Sequence, residues 1–208
     1  MRVVQPVPRR CAGDRGAALV EAGLISPVFI FLLLGVFEFG GAFLAYLAVG
    51  NTVNQTGRAA SIFGNNGLAD FRIVQSARTA SAVLTEADFD YIVVWHASGP
   101  TANIKTDAPG CASGTTSIGS GSPNFMNACN VYTPAQFTLP DTSYGCTVSA
   151  PDRFWCPSDR KSAATGPNSA DYVGIYIKYE HVWASGLFGD SLSFDDQKVV
   201  RIEPTSLT

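Results

Sequence analysis

Two carboxylates and five cysteines carry most of the chemistry this sequence offers. Glu21 stands five residues after Gly16 and directly before residues 22 to 37, a run without one charged side chain. An ionised carboxylate inside an apolar membrane helix costs about 2.5 to 3.5 kcal/mol on insertion scales, so it is normally kept for a purpose and needs a partner. If a protease cut between Gly16 and Ala17, the new α-amino group would be a cation, and Glu21 of a neighbouring copy would be its counter-ion. Glu38 follows at a distance of about 25 Å along a helix rising 1.5 Å per residue, so the two acids bracket most of a hydrocarbon core. It marks the expected outer boundary, either as a carboxylate in interfacial water or as a contact to a neighbouring helix or assembly protein.

Of the cysteines, Cys11 belongs to the segment before the apolar run, whereas Cys111, Cys129, Cys146 and Cys156 fall in a loop-rich stretch far beyond it. An even number in an oxidising space implies two disulfides. Three pairings are open; Cys111 with Cys129 and Cys146 with Cys156 is favoured because neighbouring loops close most cheaply. Zinc would need close pairs such as C-x2-C, and the gaps here are 17, 16 and 9 residues. His96 and His181 sit near strand ends and are expected to pack there. Asp190, Asp195 and Asp196 are expected in a solvated loop, with calcium the alternative. Asn54-Gln55-Thr56 matches a glycosylation sequon but falls within a predicted helix. The chain contains no P-loop, H-E-x-x-H, G-x-S-x-G or dinucleotide fingerprint, so neither a cofactor nor catalysis is expected.

The elements that position these groups follow from patterning. Charged residues make up only 15% of the 208 residues and hydrophobic residues 46%, which excludes wholesale disorder. A net charge of −3 argues against a nucleic-acid binder, which needs a concentrated basic surface. The apolar excess is local: residues 17 to 49 can stay helical for roughly 50 Å, more than a ~30 Å hydrocarbon core requires. This run outlasts the 7 to 15 residues of a signal-peptide core and lacks an A-x-A site. Arg2, Arg9, Arg10 and Arg15, opposed only by Asp14, place the leader on the cytoplasmic side. Further on, the helix turns amphipathic through Phe63 and stops at Gly64-Asn65-Asn66-Gly67. Helical spacing from Leu68 to Leu84 predicts a second helix, and Tyr91–Trp95, Tyr172–Val182 and Lys198–Glu203 predict at least three strands, the last closed by Pro204. Alternation along Val173, Ile175, Ile177 and Tyr179 implies one buried face. Residues 98 to 123, rich in Gly, Ser and Thr, predict a long surface excursion.

Arg15-Gly16-Ala17-Ala18-Leu19-Val20-Glu21, followed by Leu24, Pro27, a Phe/Leu run and Phe37-Glu38-Phe39-Gly40, resembles the N-terminus of the TadE-like proteins, pseudopilins of the tight-adherence (Flp-type) pilus system. The resemblance implies that a prepilin peptidase removes the leader after Gly16, leaving Glu21 as the fifth residue of the mature chain. Arg201-Ile202-Glu203-Pro204 resembles an ending common in that family. Ala22 stands where an aromatic residue is frequent and Gly41 where a basic one is; neither alters the cleavage geometry. The resemblance covers about residues 14 to 60.

The expectation is an α+β protein: a basic leader over residues 1–16, a transmembrane and extended helix over 17–63, and an extracytoplasmic domain over 64–208 with a helix on an antiparallel sheet and disulfide-braced loops. The resemblance further implies a minor, single-pass pseudopilin acting in pilus assembly or initiation, with pilin and other pseudopilin subunits, a prepilin peptidase and the inner-membrane assembly platform as partners. A membrane-anchored surface binding protein is the second reading and an anchored hydrolase the third.

Overall fold

The structure, a computed structural model, describes residues 14–81, 89–119, 126–162 and 170–203. The basic leader through Gly13 with Cys11, the expected helix end at Leu84, Pro123 and the closing Pro204 lie outside the described residues. Helix α1 (Asp14–Phe63) is followed by α2 (Ala69–Ala80), β1 (Phe89–Ala97), the short helices α3 (Ile104–Asp107) and α4 (Pro109–Ala112), then β2 (Cys129–Tyr132) and α5 (Pro134–Phe137). Two single 3-10 turns, Asp141–Ser143 and Pro157–Asp159, lead to β3 (Tyr172–Val182) and β4 (Ser191–Arg201). The chain divides into two compact units, Met1–Gly41 and Ala42–Thr208.

In the first unit α1 is a bare apolar rod. Side chains from Gly16 through Leu34 are exposed, and Pro27 is accommodated within the helix, as it is where surrounding groups or local adjustment re-satisfy the freed carbonyl. It is the one described helix long and apolar enough to cross a membrane.

In the second unit the same helix becomes one-sided. Ala42, Ala45, Val49, Val53, Thr56 and Ala60 recur every three or four residues and are buried, while Asn51, Asn54, Gln55 and Arg58 face outward. Gly57 completes the inner stripe: a β-carbon there would lie 3.0 Å from Lys198 Cδ and 3.4 Å from Val200 Cγ1, so its absence lets the helix lie against β4. Helix α2 buries Ala69, Asp70, Ile73, Val74 and Ala77 on one face and ends where Ser81 N donates to Ala77 O at 3.0 Å.

The four strands form one antiparallel sheet in the order β2-β1-β3-β4. Its first face carries Ile92, Val94, Val173, Ile175 and Ile177 against Val49 and Val53 of α1 and Ile73 and Val74 of α2. Phe89 joins this face although Tyr91, two residues on, belongs to the other, because the register shifts between them. The expected α+β class holds, with two differences. The sheet is covered on both faces: residues 102 to 112, expected at the surface, fold into α3 and α4 and put Ile104, Ala108 and Cys111 over Tyr91, Val93, Trp95 and Tyr176. Gly174 sits opposite Trp95, and its missing side chain leaves room for the indole. The other difference is strand extent: β2 is an additional edge strand, and β4 begins at Ser191, well before Lys198, pairing with β3 from Tyr172↔Arg201 to Val182↔Ser191.

Candidate functional site

Glu21 lies on the exposed rod with Ala18, Ala22, Ile25, Ser26 and Phe29 lining a shallow groove along one helix face. Among the described residues no hydrogen bond or ion pair involves it. Gly16 and Ala17 belong to the same helix, and nothing lies within 4 Å of where a Gly16 side chain would be. Helical spacing puts Ala17 one turn ahead of Glu21 on the same face. An ionisable group, small neighbours and an exposed apolar surface are what a second apolar helix would need for close approach and charge pairing. Glu38 is different: it is 7% exposed, between Phe37 at 77% and Phe39 at 57%, so it does not stand in open water.

The four distal cysteines pair as expected. Cys111–Cys129, S–S 2.08 Å, ties α4 to β2 beneath the second sheet face, with both residues fully buried. Cys146–Cys156, S–S 1.89 Å, closes a loop held by Asp152, whose carboxylate accepts from Gly145 N at 2.9 Å and Cys146 N at 3.0 Å. Burial pushes the Asp152 carboxyl above its ordinary value despite those two donors.

Asp195 and Asp196 are not in a loop: both lie on β4, where alternation sends their side chains to opposite faces of the sheet. Asp195 pairs with Lys105 Nζ at 2.7 Å, and Asp196 accepts from Gln197 N at 2.8 Å. No cluster of three or more metal-ligating residues occurs among the described residues. Asn54 lies on α1 as expected, its amide donating to Gly50 O and its oxygen accepting from Lys198 Nζ at 2.6 Å. His181 sits near the end of β3, edge-on to Trp183. His96 is buried, its ring stacked on Trp155 at 4.9 Å and its Nε2 3.6 Å from Asp171 Oδ1. Burial opposes the Asp171 charge, but His96 and the Lys161 N–H outweigh it and hold the carboxyl below its ordinary value.

Sequence reasoning missed a polar cluster in the core. Arg160 meets Asp70 in a two-pronged pair, Nη1 to Oδ1 at 2.7 Å and Nη2 to Oδ2 at 2.8 Å, with both side chains fully buried. Tyr132 Oη donates to Asp70 Oδ2 at 2.5 Å and Asn130 Nδ2 to the same oxygen at 2.8 Å. Arg160 also donates to Trp155 O at 3.0 Å and lies 4.0 Å over the Trp155 ring. Burial, with the adjacent carboxylate, pushes the Tyr132 hydroxyl well above its ordinary value. One signal was available: Asp70 falls on the buried face of α2 with Ile73, Val74 and Ala77.

The family model described as TadE-like protein matches residues 16–58. The N-terminal segment of this chain is TadE-like. The TadE-like segment takes in Gly16, Ala17, Glu21 and Glu38 and ends within the part of α1 that packs on the sheet. No curated protein and no solved structure matches the chain. The match supports a protein of the Tad pilus system in general, and the one long apolar helix among the described residues fits a single-pass anchor in such a system.

Proposed function

We propose that this chain is a minor pseudopilin of a tight-adherence (type IVb-like) pilus, processed by a prepilin peptidase and acting in pilus assembly or initiation. The observation that carries the reading is Glu21: a carboxylate five residues beyond Gly16, exposed on an apolar helix with no partner among the described residues of its own chain. Hydrolysis of the Gly16–Ala17 bond leaves a carboxylate on Gly16 and a protonated amine on Ala17. That amine is the counter-ion for Glu21 of an adjacent copy, which turns a cost of about 2.5 to 3.5 kcal/mol for a lone charge in lipid into a condition for association. The basic leader keeps the N-terminus cytoplasmic and the second unit extracytoplasmic. Partners in this reading are pilin and other pseudopilin subunits, the prepilin peptidase and the inner-membrane assembly platform. The bulk of the second unit makes the chain a minor component, since a filament built only of such subunits would be crowded. In this reading the chain acts without catalysis and without nucleic acid, and His96, buried and stacked on Trp155, serves packing.

N-terminal sequencing of the membrane-extracted protein tests the processing step. Ala17 as first residue is expected; Met1 would leave a plain anchor presenting a binding domain, and a start near Asn51 a secreted domain. Glu21→Gln separates processing from assembly: cleavage after Gly16 continues, while incorporation into pili is lost. Unchanged incorporation of Glu21→Gln would refute charge pairing.

A further inference from the structure

Within the second unit α1 and β4 run side by side in the same direction. Tyr46 meets Phe194 with ring centroids 5.8 Å apart, Asn54 meets Lys198 at 2.6 Å, and Ser61 Oγ donates to Arg201 O at 2.8 Å. The spacings agree: Tyr46 to Ser61 spans roughly 22 Å of helix, and Phe194 to Arg201 roughly 23 Å of strand. The β3–β4 turn precedes Ser191, so it points towards the end at which α1 enters the unit. Ser191 already lies about 10 Å beyond Phe194, whereas Ala42 lies about 6 Å beyond Tyr46. The turn therefore lies at the end of the unit where Ala42 begins.

Its composition is unusual for a hairpin tip. From Val182 to Phe194 the only charge is Asp190. Val182, Leu187 and Leu192 are 61%, 54% and 40% exposed, while Trp183 and Phe188 pack together inside the turn with ring centroids 5.7 Å apart. Positive φ at Gly186 (68°) and Gly189 (105°) allows the chain to reverse. On α1 at the same end Phe43, Leu44, Tyr46 and Leu47 are also exposed. Elsewhere in the described part of this unit, large exposed apolar side chains are scattered: Ile62, Met126 and Val148. An apolar rim confined to one end, with aromatic rings among it, matches the band that sits at a membrane–water interface.

We propose that the tip of the β3–β4 hairpin is a second membrane contact, seated in the interfacial layer of the bilayer that α1 crosses. The occupant of the rim is lipid, because the rim includes Phe43, Leu44, Tyr46 and Leu47, which follow directly in sequence on the apolar run of α1. The proposal rests on α1 being a membrane span and is independent of cleavage after Gly16.

The test uses the full chain in phosphatidylcholine–phosphatidylglycerol vesicles with plain or brominated acyl chains. Three variants each add a tryptophan: Phe31→Trp in the apolar run, Leu187→Trp at the tip, and Val148→Trp in the Cys146–Cys156 loop. That loop's Trp155 stacks on His96, which pairs through Val173 with Val200 at the far end of β4. The added emission of Phe31→Trp and Leu187→Trp is expected to fall at least twofold in brominated vesicles, with Val148→Trp unchanged. Quenching of Phe31→Trp but not Leu187→Trp overturns the hairpin contact and leaves the span intact. Failure of Phe31→Trp to quench removes the span and the contact with it. A Leu187→Trp signal that ignores bromine but shifts with protein-to-lipid ratio assigns the rim to a second copy, and also overturns the proposal.

Discussion

Arg160 and Asp70 neutralise each other where water does not reach, so each depends on the other for its charge. Arg160→Met leaves the Asp70 carboxylate with only Tyr132 and Asn130 as donors, an uncompensated buried charge that costs on the order of 3 to 5 kcal/mol. Tyr132→Phe removes one charged hydrogen bond, about 1.5 to 3 kcal/mol. Urea unfolding of the detergent-solubilised chain should place both variants below the parent, with Arg160→Met the lower. Asp171 has a pH signature. Its carboxyl is held below its ordinary value when folded, so the stability it contributes is present above that ordinary value and is lost as pH falls through the lowered one. Thermal melts from pH 6 down to pH 2 should therefore show a loss, starting near the ordinary carboxylate value of about 4, that shrinks in Asp171→Asn.

At the scale of elements, glycines and disulfides decide how closely pieces approach. A β-carbon on Gly174 would lie 2.0 Å from Trp95 Nε1, and both residues are central to the sheet. Gly174→Val should displace the indole and cost at least the 1 to 3 kcal/mol of ordinary overpacking, read as a lowered melting temperature. The two disulfides differ in access: Cys111 and Cys129 are fully buried, whereas Cys146 and Cys156 are only half-buried. Limited dithiothreitol followed by alkylation and mass spectrometry should find Cys146 and Cys156 labelled first. Replacing Cys111 and Cys129 by Ser should cost roughly 3 kcal/mol from loop entropy.

For the whole molecule, the notable feature is that one helix serves two environments. Residues 22 to 34 are exposed along the apolar run, whereas Val49, Val53 and Ala60 are fixed members of the sheet's core. A chain begun at Ala42 should unfold cooperatively by circular dichroism; one begun at Gly64 should not, because it lacks the helix that covers β3 and β4.

Read from residues alone, much of this was visible. The apolar run, the lone Glu21 and the two cysteine pairs are local patterns, and local patterns survive without tertiary information because helix periodicity, insertion cost and loop closure depend on near neighbours. The α+β class and strand β3 were legible for the same reason. What stayed hidden was non-local. Asp70 and Arg160 are 90 residues apart, and each alone resembles a solvated charge. Strand β2 is four residues long and exists because β1 offers it an edge. Residues 102 to 112 have the composition of a loop and became a cover because the second face of β1 and β3 carries Trp95 and Tyr176, which need burial. The sequence by itself determined the long apolar helix and where its charge sits; only the tertiary structure decided which polar groups are buried together and which apolar ones are left outside, since those outcomes depend on surfaces that meet only after the chain has folded.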